Sequence, residues 1–334
     1  MARNFVADQN KIAMFYESGT LGVGSGNAFW VGMVQNHSLS ESQGVINVRY
    51  AGNLSRDVAQ FIDGPTEFSG TLEFYPQDWR MLKFAMGQVA DAGSPSPYSH
   101  AYTAADSDDE CKEIAGRVLP TFSVEDSQAY TAGSNFVRTI KGCAIDSLSI
   151  STSEGAPITC SAEYKAQSIA YSSGAASAIT HADSVGSTTV PFMWQHTKVQ
   201  IPSGTAYSPK NVTLTIANNL AVPNYVDATR NISDLIPQNR DYNLSLTLNG
   251  DAQLTKTIYD DYWVGGSAFN LIISSIVSLG SRAVYFTCSG CKLTAFDAPT
   301  GIEGVNEQTL TIVPKTITVA EDSLVQYNNI GSFS

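Results

Sequence analysis

The chain has 334 residues, enough for one to three domains and a substantial buried core. Hydrophobic residues make up 43% and charged residues only 15%, which is typical of a β-rich structural protein and disfavours a helical enzyme. The net charge of −12 argues against a protein that holds nucleic acid through phosphate contacts, and no run of about 20 apolar residues is present to span a membrane.

The first part of the chain contains short strand-like stretches followed by a long polar connection. This connection covers residues 51–65 and mixes charged with apolar side chains, among them Arg56, Asp57 and Phe61. Connections of this length inside a compact domain are usually functional or mobile. The pattern therefore predicts a loop that serves a purpose beyond joining two strands.

The stretch 66–87 predicts a strand followed by a short helix. Apolar and polar residues alternate over its first part, and apolar residues recur at helical spacing over its second part. Pro76 stands where a helix can begin, because proline suits the first helical turn. The apolar positions that carry the two patterns are Phe68, Leu72, Phe74, Trp79, Leu82 and Met86.

Two segments of the first half have the composition of loops. Residues 90–116 are polar, acidic and contain proline, which predicts a flexible inserted surface loop. Residues 171–189 are rich in Ser, Ala and Gly, which suits a loosely held connection between two larger units.

The second half shows the same kinds of segment in the same order. A polar connection at 226–240 contains Arg230, Asp234 and Leu235. The stretch 241–263 then repeats the pattern of an alternating strand followed by a helix, with Asp251 placed to cap the helix.

A Gly-Cys pair follows each strand-helix block and is predicted to open another strand. The pairs are Gly142-Cys143 and Gly290-Cys291. The stretch from Phe68 to Gly142 in the first half is longer than the stretch from Tyr242 to Gly290 in the second. The loop-like insertion at 90–116 accounts for the difference. Two matching blocks in the same order favour an internal duplication.

These patterns predict a mainly β protein with two tandem β-sandwich or barrel domains, each with one flanking α-helix. The first domain covers 1–170, the connection 171–189, and the second domain 190–334 with a polar carboxyl-terminal tail.

Signals for catalysis or for bound groups are weak. His37, His100, His181 and His196 do not lie beside a nucleophile motif, and no phosphate-binding loop is present. Cys288 and Cys291 form a lone C-x-x-C pair, whereas a structural zinc site needs four ligands. We predict no catalytic residues, no cofactor and no metal.

The two long connections are the candidate functional residues. A free loop needs no apolar residues, and a buried loop could not leave its charges unpaired. A loop that docks on a neighbouring subunit meets both demands. We therefore predict that these connections are mobile in the monomer and take part in self-assembly through Arg56, Asp57, Phe61, Arg230, Asp234 and Leu235.

Three stretches, 48–74 with the helix after it, 142–167 and 191–220, resemble the major tail tube protein of tailed bacterial or archaeal viruses, in a duplicated form. The resemblance implies a virion protein that self-assembles into stacked rings, through which viral DNA passes into the host without sequence-specific binding. A duplicated chain is expected to form a trimeric, pseudo-hexameric ring, although a hexamer is also compatible.

The same resemblance implies contacts with tail terminator, baseplate and tape-measure proteins. It also implies synthesis in the host cytoplasm, residence in the virion tail and no enzymatic activity. Two alternatives stay open. One is another virion β-protein, such as a baseplate, terminator or decoration subunit, which would not stack into long tubes. The other is a carbohydrate-binding or hydrolytic β-sandwich, which would need a convergent acidic or aromatic cleft.

Overall fold

The structure is a computed structural model that describes residues 11–17, 22, 24–50, 57–93, 98–105, 118–131, 134–173, 189–202, 206–223, 231–232, 234–249, 252–278, 282–298 and 306–324. Most of them lie in strands, so the predicted mainly β class is confirmed. The strands of the first half are β1 (Lys11–Glu17), β2 (Gly24–Phe29), β3 (Gly32–Val48), β4 (Gln60–Pro76), β5 (Gly87–Ala92), β6 (Tyr98–Ala104), β7 (Phe122–Thr131), β8 (Ser134–Ser153), β9 (Thr159–Ala166) and β10 (Ser168–Ser172).

The second half continues with shorter strands and the longer of the two helical segments. Its strands are β11 (Thr197–Gln200), β12 (Ala206–Tyr207), β13 (Pro209–Ala217), β14 (Asp241–Asn249), β15 (Phe269–Ser278), β16 (Arg282–Asp297), β17 (Glu307–Val313) and β18 (Thr316–Ser323). The helices are α1 (Met81–Met86) and α2 (Ala252–Thr257), and α2 continues as a π-helical segment, Ile258–Val264. Asp251, the predicted cap of the second helix, lies outside the described residues.

The strands form three sheets that share two long strands. The central sheet has the order β3-β4-β9-β8-β13-β14-β17-β16. The first side sheet has the order β2-β1-β7-β8-β10, and the second has the order β12-β11-β15-β16-β18-β6-β5. Every one of these pairings is antiparallel.

β8 and β16 pass from a side sheet into the central sheet at a glycine. Gly142 has φ +65° and Gly290 has φ +63°, a left-handed conformation that glycine adopts without strain. The prediction that these glycines open a strand is wrong, because each lies inside one. The positive φ redirects the strand, so that β8 leaves β7 near Cys143 and pairs with β9 from Ala144 onward.

One continuous core lies between the central sheet and the side sheets. Leu72 and Phe74 of β4 point into it, as do Leu244, Leu246 and Leu248 of β14, so both predicted strand alternations are confirmed. Trp79, Leu82 and Met86 are buried as predicted, but the predicted amphipathic character of the helix is wrong, because every residue of α1 is buried. The helix itself begins at Met81 rather than near Pro76, which is the last residue of β4.

The two halves follow the same pairing order. β3-β4-β9-β8 in the first half matches β13-β14-β17-β16 in the second, and both sets lie in the central sheet. Register irregularities recur at matching places in these strands. β3 is irregular between Val34 and Asn36 and β13 between Pro209 and Asn211, while β8 is irregular after Ile145 and β16 after Leu293. Bulges are specific local features, so their recurrence is a precise structural match.

The segment predicted as a flexible insertion contains an ordered hairpin. β5 and β6 pair with each other, and β6 continues the ladder of β18 in the second half. The polar sequence conceals this because its buried side chains are themselves polar. His100 lies 2.7 Å from Asp91, and the Tyr102 hydroxyl donates to Glu321 at 2.6 Å. The remaining insertion residues, 106–116, lie outside the described residues.

Candidate assembly surface

The central sheet ends in two strands that each have one neighbour within the described residues. β3 pairs with β4 at one end of the sheet. At the other end, residues 292–297 of β16 pair with β17. A strand at such an edge presents unpaired N–H and C=O groups, which can accept a further strand. As far as the described residues go, both ends of the sheet therefore present an edge to which another chain can pair.

An internal junction joins the two halves in the middle of the same sheet. β8 pairs with β13 in an unbroken antiparallel ladder that runs from Ser147↔Ala217 to Ser153↔Asn211. The two strands belong to different halves, so this ladder shows how the edge of one half fits the edge of the other.

Polar side chains hold the chain just beyond this ladder. Asn218 is buried, and its Nδ2 donates to the backbone oxygens of Ala85 and Ile145, each at 3.0 Å. Arg240 donates to Asn218 Oδ1 at 3.2 Å and to the Ala105 oxygen at 3.0 Å. These groups satisfy carbonyls at the end of α1 and in β8, so the second half completes the hydrogen bonding of the first.

An ion pair holds the segment after Asn218. The backbone N–H of Leu220 donates to Asp146 Oδ1 at 2.6 Å, and Lys165 Nζ donates to the Leu220 oxygen at 2.7 Å. Lys165 and Asp146 also lie 3.3 Å apart. Together they fix the path of the chain across the first half.

A second group of contacts between the halves is buried and charged. Glu321 of β18 accepts from the Trp79 backbone at 3.2 Å, and Arg282 of β16 donates to the Gln77 oxygen at 3.1 Å. Burial raises the pKa of Asp78 in this region, and the neighbouring Arg80 opposes that rise. The cluster joins α1, the β5–β6 hairpin and the second side sheet.

The predicted assembly residues of the first connection lie on an extended hairpin. β4 begins at Gln60, so residues 57–65 are partly strand rather than a loop. Phe61 lies in this strand with 66% of its surface exposed, and Asp57 is exposed beside it. Arg56 lies outside the described residues.

The second connection already has a contact within the chain. Leu235 is only 3% exposed and packs in a small cluster with Leu119, Ala144, Leu220 and Ile232. The Leu235 N–H donates to Asp234 Oδ1 at 2.8 Å. Arg230 lies outside the described residues. The structure therefore separates two residues that the sequence treats alike: Leu235 is buried against the first half, whereas Phe61 faces solvent.

The face of the central sheet that points away from the core is rich in hydroxyl groups. Alternation places the polar residues of each strand on this face. Thr247 and Thr309, for example, face each other with their hydroxyl oxygens 3.2 Å apart. The hydroxyl and carboxyl residues that share this face on β4, β9, β8, β13, β14 and β17 are Ser69, Thr71, Glu73, Ser161, Glu163, Ser147, Ser149, Ser151, Thr213, Thr215, Ser245, Thr247, Thr309 and Thr311.

The C-x-x-C cysteine pair that the sequence analysis considered lies in the protein interior. Cys288 and Cys291 are buried neighbours on β16, and burial raises the pKa of the Cys291 thiol to about 11. Within the described residues, no group of three or more His, Cys, Asp or Glu side chains is placed to hold a metal ion, and no helix is long and apolar enough to cross a membrane.

The family model for phage tail tube proteins matches residues 11–314, nearly the whole chain. The chain belongs to the phage tail tube protein family. This tail tube protein is therefore a structural component of the virion tail, and its family is one of structural proteins. The predicted resemblance is confirmed.

Other comparisons add little to the family match. The chain is similar to a chain of the SPP1 tail tube, determined by solid-state NMR and cryo-EM, with 14% identity and a TM-score of 0.30. The match covers 43% of this chain and 87% of the SPP1 chain. No curated protein matches at a significant level.

Sequence reasoning missed the residues that join the two halves. From sequence, Asn218 and Asn219 indicate only a turn, Arg240 carries no signal, and the hairpin that pairs with β18 has the composition of a loop. The available signal was the polar pair Asn218-Asn219 directly after the alternating strand β13. A buried asparagine at a strand end indicates that backbone groups from another segment must be satisfied there.

Proposed function

We propose that this tail tube protein forms closed rings by pairing β3 of one copy with residues 295–297 of the next copy's β16. The observation that carries the proposal is the internal ladder between β8 and β13. β16 occupies in the second half the place that β8 has in the first, and β3 occupies the place of β13. The two open edges are therefore counterparts of two edges that are already joined within the chain.

The internal ladder also gives the register of the proposed contact. The matching irregularities align Ile145 of β8 with Leu293 of β16, and Val34 of β3 with Pro209 of β13. In this alignment the pair Ser147↔Ala217 maps onto Ala295 of one copy and Ser42 of the next. The pair Ser149↔Thr215 maps likewise onto Asp297 and Ser40. Edge pairing of this kind removes the exposed sheet edges of each monomer.

A ring of three chains is the favoured assembly. We propose that the two halves are duplicated tube domains, with the boundary at 171–189, so that three chains supply six such units. The recurrent pairing order and bulge positions support this reading. Closed rotational symmetry then requires the same heterologous contact three times.

The hydroxyl-rich face of the central sheet is the proposed lumen wall. Hydroxyl groups and the carboxylates Glu73 and Glu163 offer no strong attraction to DNA phosphates. Lys165 shares this face with Ser69, but it is held by Asp146 and the Leu220 oxygen. With a net charge of −12, such a wall allows viral DNA to pass without sticking. Stacked rings would then form the tube, with terminator, baseplate and tape-measure proteins as its partners.

Cysteine cross-linking tests the proposed ring contact. In a Cys111→Ser background, the pairs Ser42→Cys with Ala295→Cys and Ser40→Cys with Asp297→Cys are treated with a short bismaleimide. We expect a ladder of covalent oligomers that ends at the trimer. The four native thiols that the structure describes are buried and should not react.

A matched control places one cysteine away from the proposed contact. Ser42→Cys combined with Lys315→Cys, which is exposed on the turn after β17, should give no oligomer. Equal cross-linking in control and test pairs, or an absence of rings and tubes by electron microscopy of the unmodified protein, would refute the proposal. Rings without tubes would favour a terminator-like or baseplate subunit.

A further inference from the structure

Four apolar side chains at the far end of the β3–β4 hairpin face solvent. This group, here called the arm tip, consists of Val45, Ile46, Phe61 and Ile62, which are 55%, 54%, 66% and 46% exposed. Alternation places Ile46 and Ile62, which pair in the ladder, on one face of the hairpin, and Val45 and Phe61 on the other face. Exposed apolar side chains at the end of a hairpin indicate a contact surface.

The second half contains a counterpart of the arm tip that is buried on one face. Leu220 and Leu235, at the positions of Val45 and Phe61, are buried, whereas Ile236, at the position of Ile62, is 41% exposed. Ala221 and Ile236 form an isolated antiparallel bridge. The alignment that matches β3 with β13 and β4 with β14 places Ala221 at the position of Ile46 and Ile236 at the position of Ile62. Next to this bridge, Leu220 and Leu235 are buried in a cluster that includes two residues of the first half, Leu119 and Ala144.

The surface that receives this counterpart lies beside α1. All six residues of α1 are buried, and Asn218 and Arg240 of the second half bond to its carboxyl-terminal carbonyls. In the first half, therefore, the end of the helix and the strands near it are contacted by Asn218, Leu220, Leu235 and Arg240 of the second half.

The corresponding surface of the second half is exposed in the part of the chain that the structure describes. It is here called the helix patch and consists of Tyr259, Trp263, Val264 and Val313, which are 46%, 42%, 66% and 42% exposed. Lys292 links the helical residues of the patch to Val313. The Nζ atom of Lys292 contacts the Gly266 oxygen, and Lys292 pairs with Val313 in the β16–β17 ladder. Tyr259 also packs on Phe296 of β16, with ring centroids 5.8 Å apart.

We propose that the arm tip of one copy docks on the helix patch of the adjacent copy in the same ring. The inference rests on the proposed ring, and it adds the surface that a second copy of this chain must cover. The first half and second half of neighbouring chains then repeat the contact that the two halves of one chain already make.

The contact between the two halves of one chain and the proposed contact between neighbouring chains differ in one respect. The positions that correspond to Leu119 and Ala144 are Gly266 and Lys292, which offer little apolar surface. The apolar contact is therefore shifted to the neighbouring Val264, Trp263 and Val313. This shift makes the helix patch specific to the contact between chains.

Serine variants on each side of the contact test the proposal. Phe61→Ser and Val264→Ser each remove an exposed apolar side chain, so the folded monomer should keep its near-ultraviolet circular dichroism and melting temperature. We expect the protein concentration needed for ring formation to rise by roughly tenfold for each variant, as for the loss of one well-buried apolar contact. Val190→Ser is the control, because Val190 is 58% exposed but lies outside both surfaces.

A charge pair separates specific docking from a general effect on solubility. Phe61→Lys and Val264→Glu should each impair assembly, and the double variant should recover a large part of it. Normal assembly of the single variants, or impaired assembly of the control to the same degree, would overturn the docking proposal while the Ser42–Ala295 cross-link still supports the ring. If the Ser42–Ala295 cross-link fails to form in protein whose arm tip and helix patch are unchanged, the ring and the docking are both overturned.

Discussion

Replacing Leu235 with alanine tests how firmly the second connection is held against the first half. Leu235 is 3% exposed and belongs to a five-residue cluster that is separate from the main core. Buried Leu→Ala changes cost about 2–5 kcal/mol, depending on how far the site collapses. The cluster is small and lies near the surface, so collapse should be easy and we expect a loss of about 2–3 kcal/mol.

Ile236→Ala supplies a matched control at the next position. Ile236 is similar in size but 41% exposed, and we expect a loss below about 1 kcal/mol. Urea unfolding followed by tryptophan fluorescence measures both variants. Hydrogen exchange with mass spectrometry should show faster exchange at 218–223 and 234–240 for Leu235→Ala only. Equal destabilisation by the two variants would refute the view that Leu235 anchors this connection.

Three further predictions concern buried groups. Asn218→Ala leaves the Ala85 and Ile145 carbonyls without their donor, so thermal unfolding should show a loss of about 2–4 kcal/mol. Burial alone would raise the pKa of Asp126, but hydrogen bonds and charges from His37 and Arg138 hold that pKa below its ordinary value. The resulting stabilisation is present at pH values above the ordinary pKa and disappears as the pH falls through the lowered pKa. Asp126→Asn should therefore flatten the acid limb of a curve of stability against pH. Metal analysis of the pure protein should find zinc well below one equivalent, and a near-stoichiometric content would contradict the assignment of Cys288 and Cys291 as packing residues.

Sequence patterns predicted the elements that alternate or repeat strongly. The strand with Leu244, Leu246 and Leu248 was identifiable because one of its faces is buried and the other is polar. The helix after Trp79 was identifiable only from the spacing of its apolar residues, since all of α1 is buried. The internal duplication inferred from the two Gly-Cys pairs stays a prediction, and the matching order of strand pairing supports it.

Other elements could not be predicted from sequence patterns, because their buried side chains are polar or because their apolar side chains are exposed. His100 and Tyr102 are buried through contacts with Asp91 and Glu321, which no local pattern reveals. Phe61 is apolar but exposed, because its strand extends beyond the body of the sheet. Leu235 and Phe61 occur in similar polar connections, and only the three-dimensional arrangement shows that one has its contact within the chain.

The β5–β6 hairpin occurs in only one half, and this has a mechanical consequence. Inside a chain, the two halves are tied by the β8–β13 ladder and again by β6 on β18. The chain between α2 and β15 is too short to hold an equivalent hairpin, since Val264 and Phe269 lie close together in the sequence. In the proposed ring of three chains, each contact within a chain therefore includes one strand pairing, β6 on β18, that the contact between chains lacks. Under outward pressure, such a ring would open between chains, and each chain would leave as an intact unit.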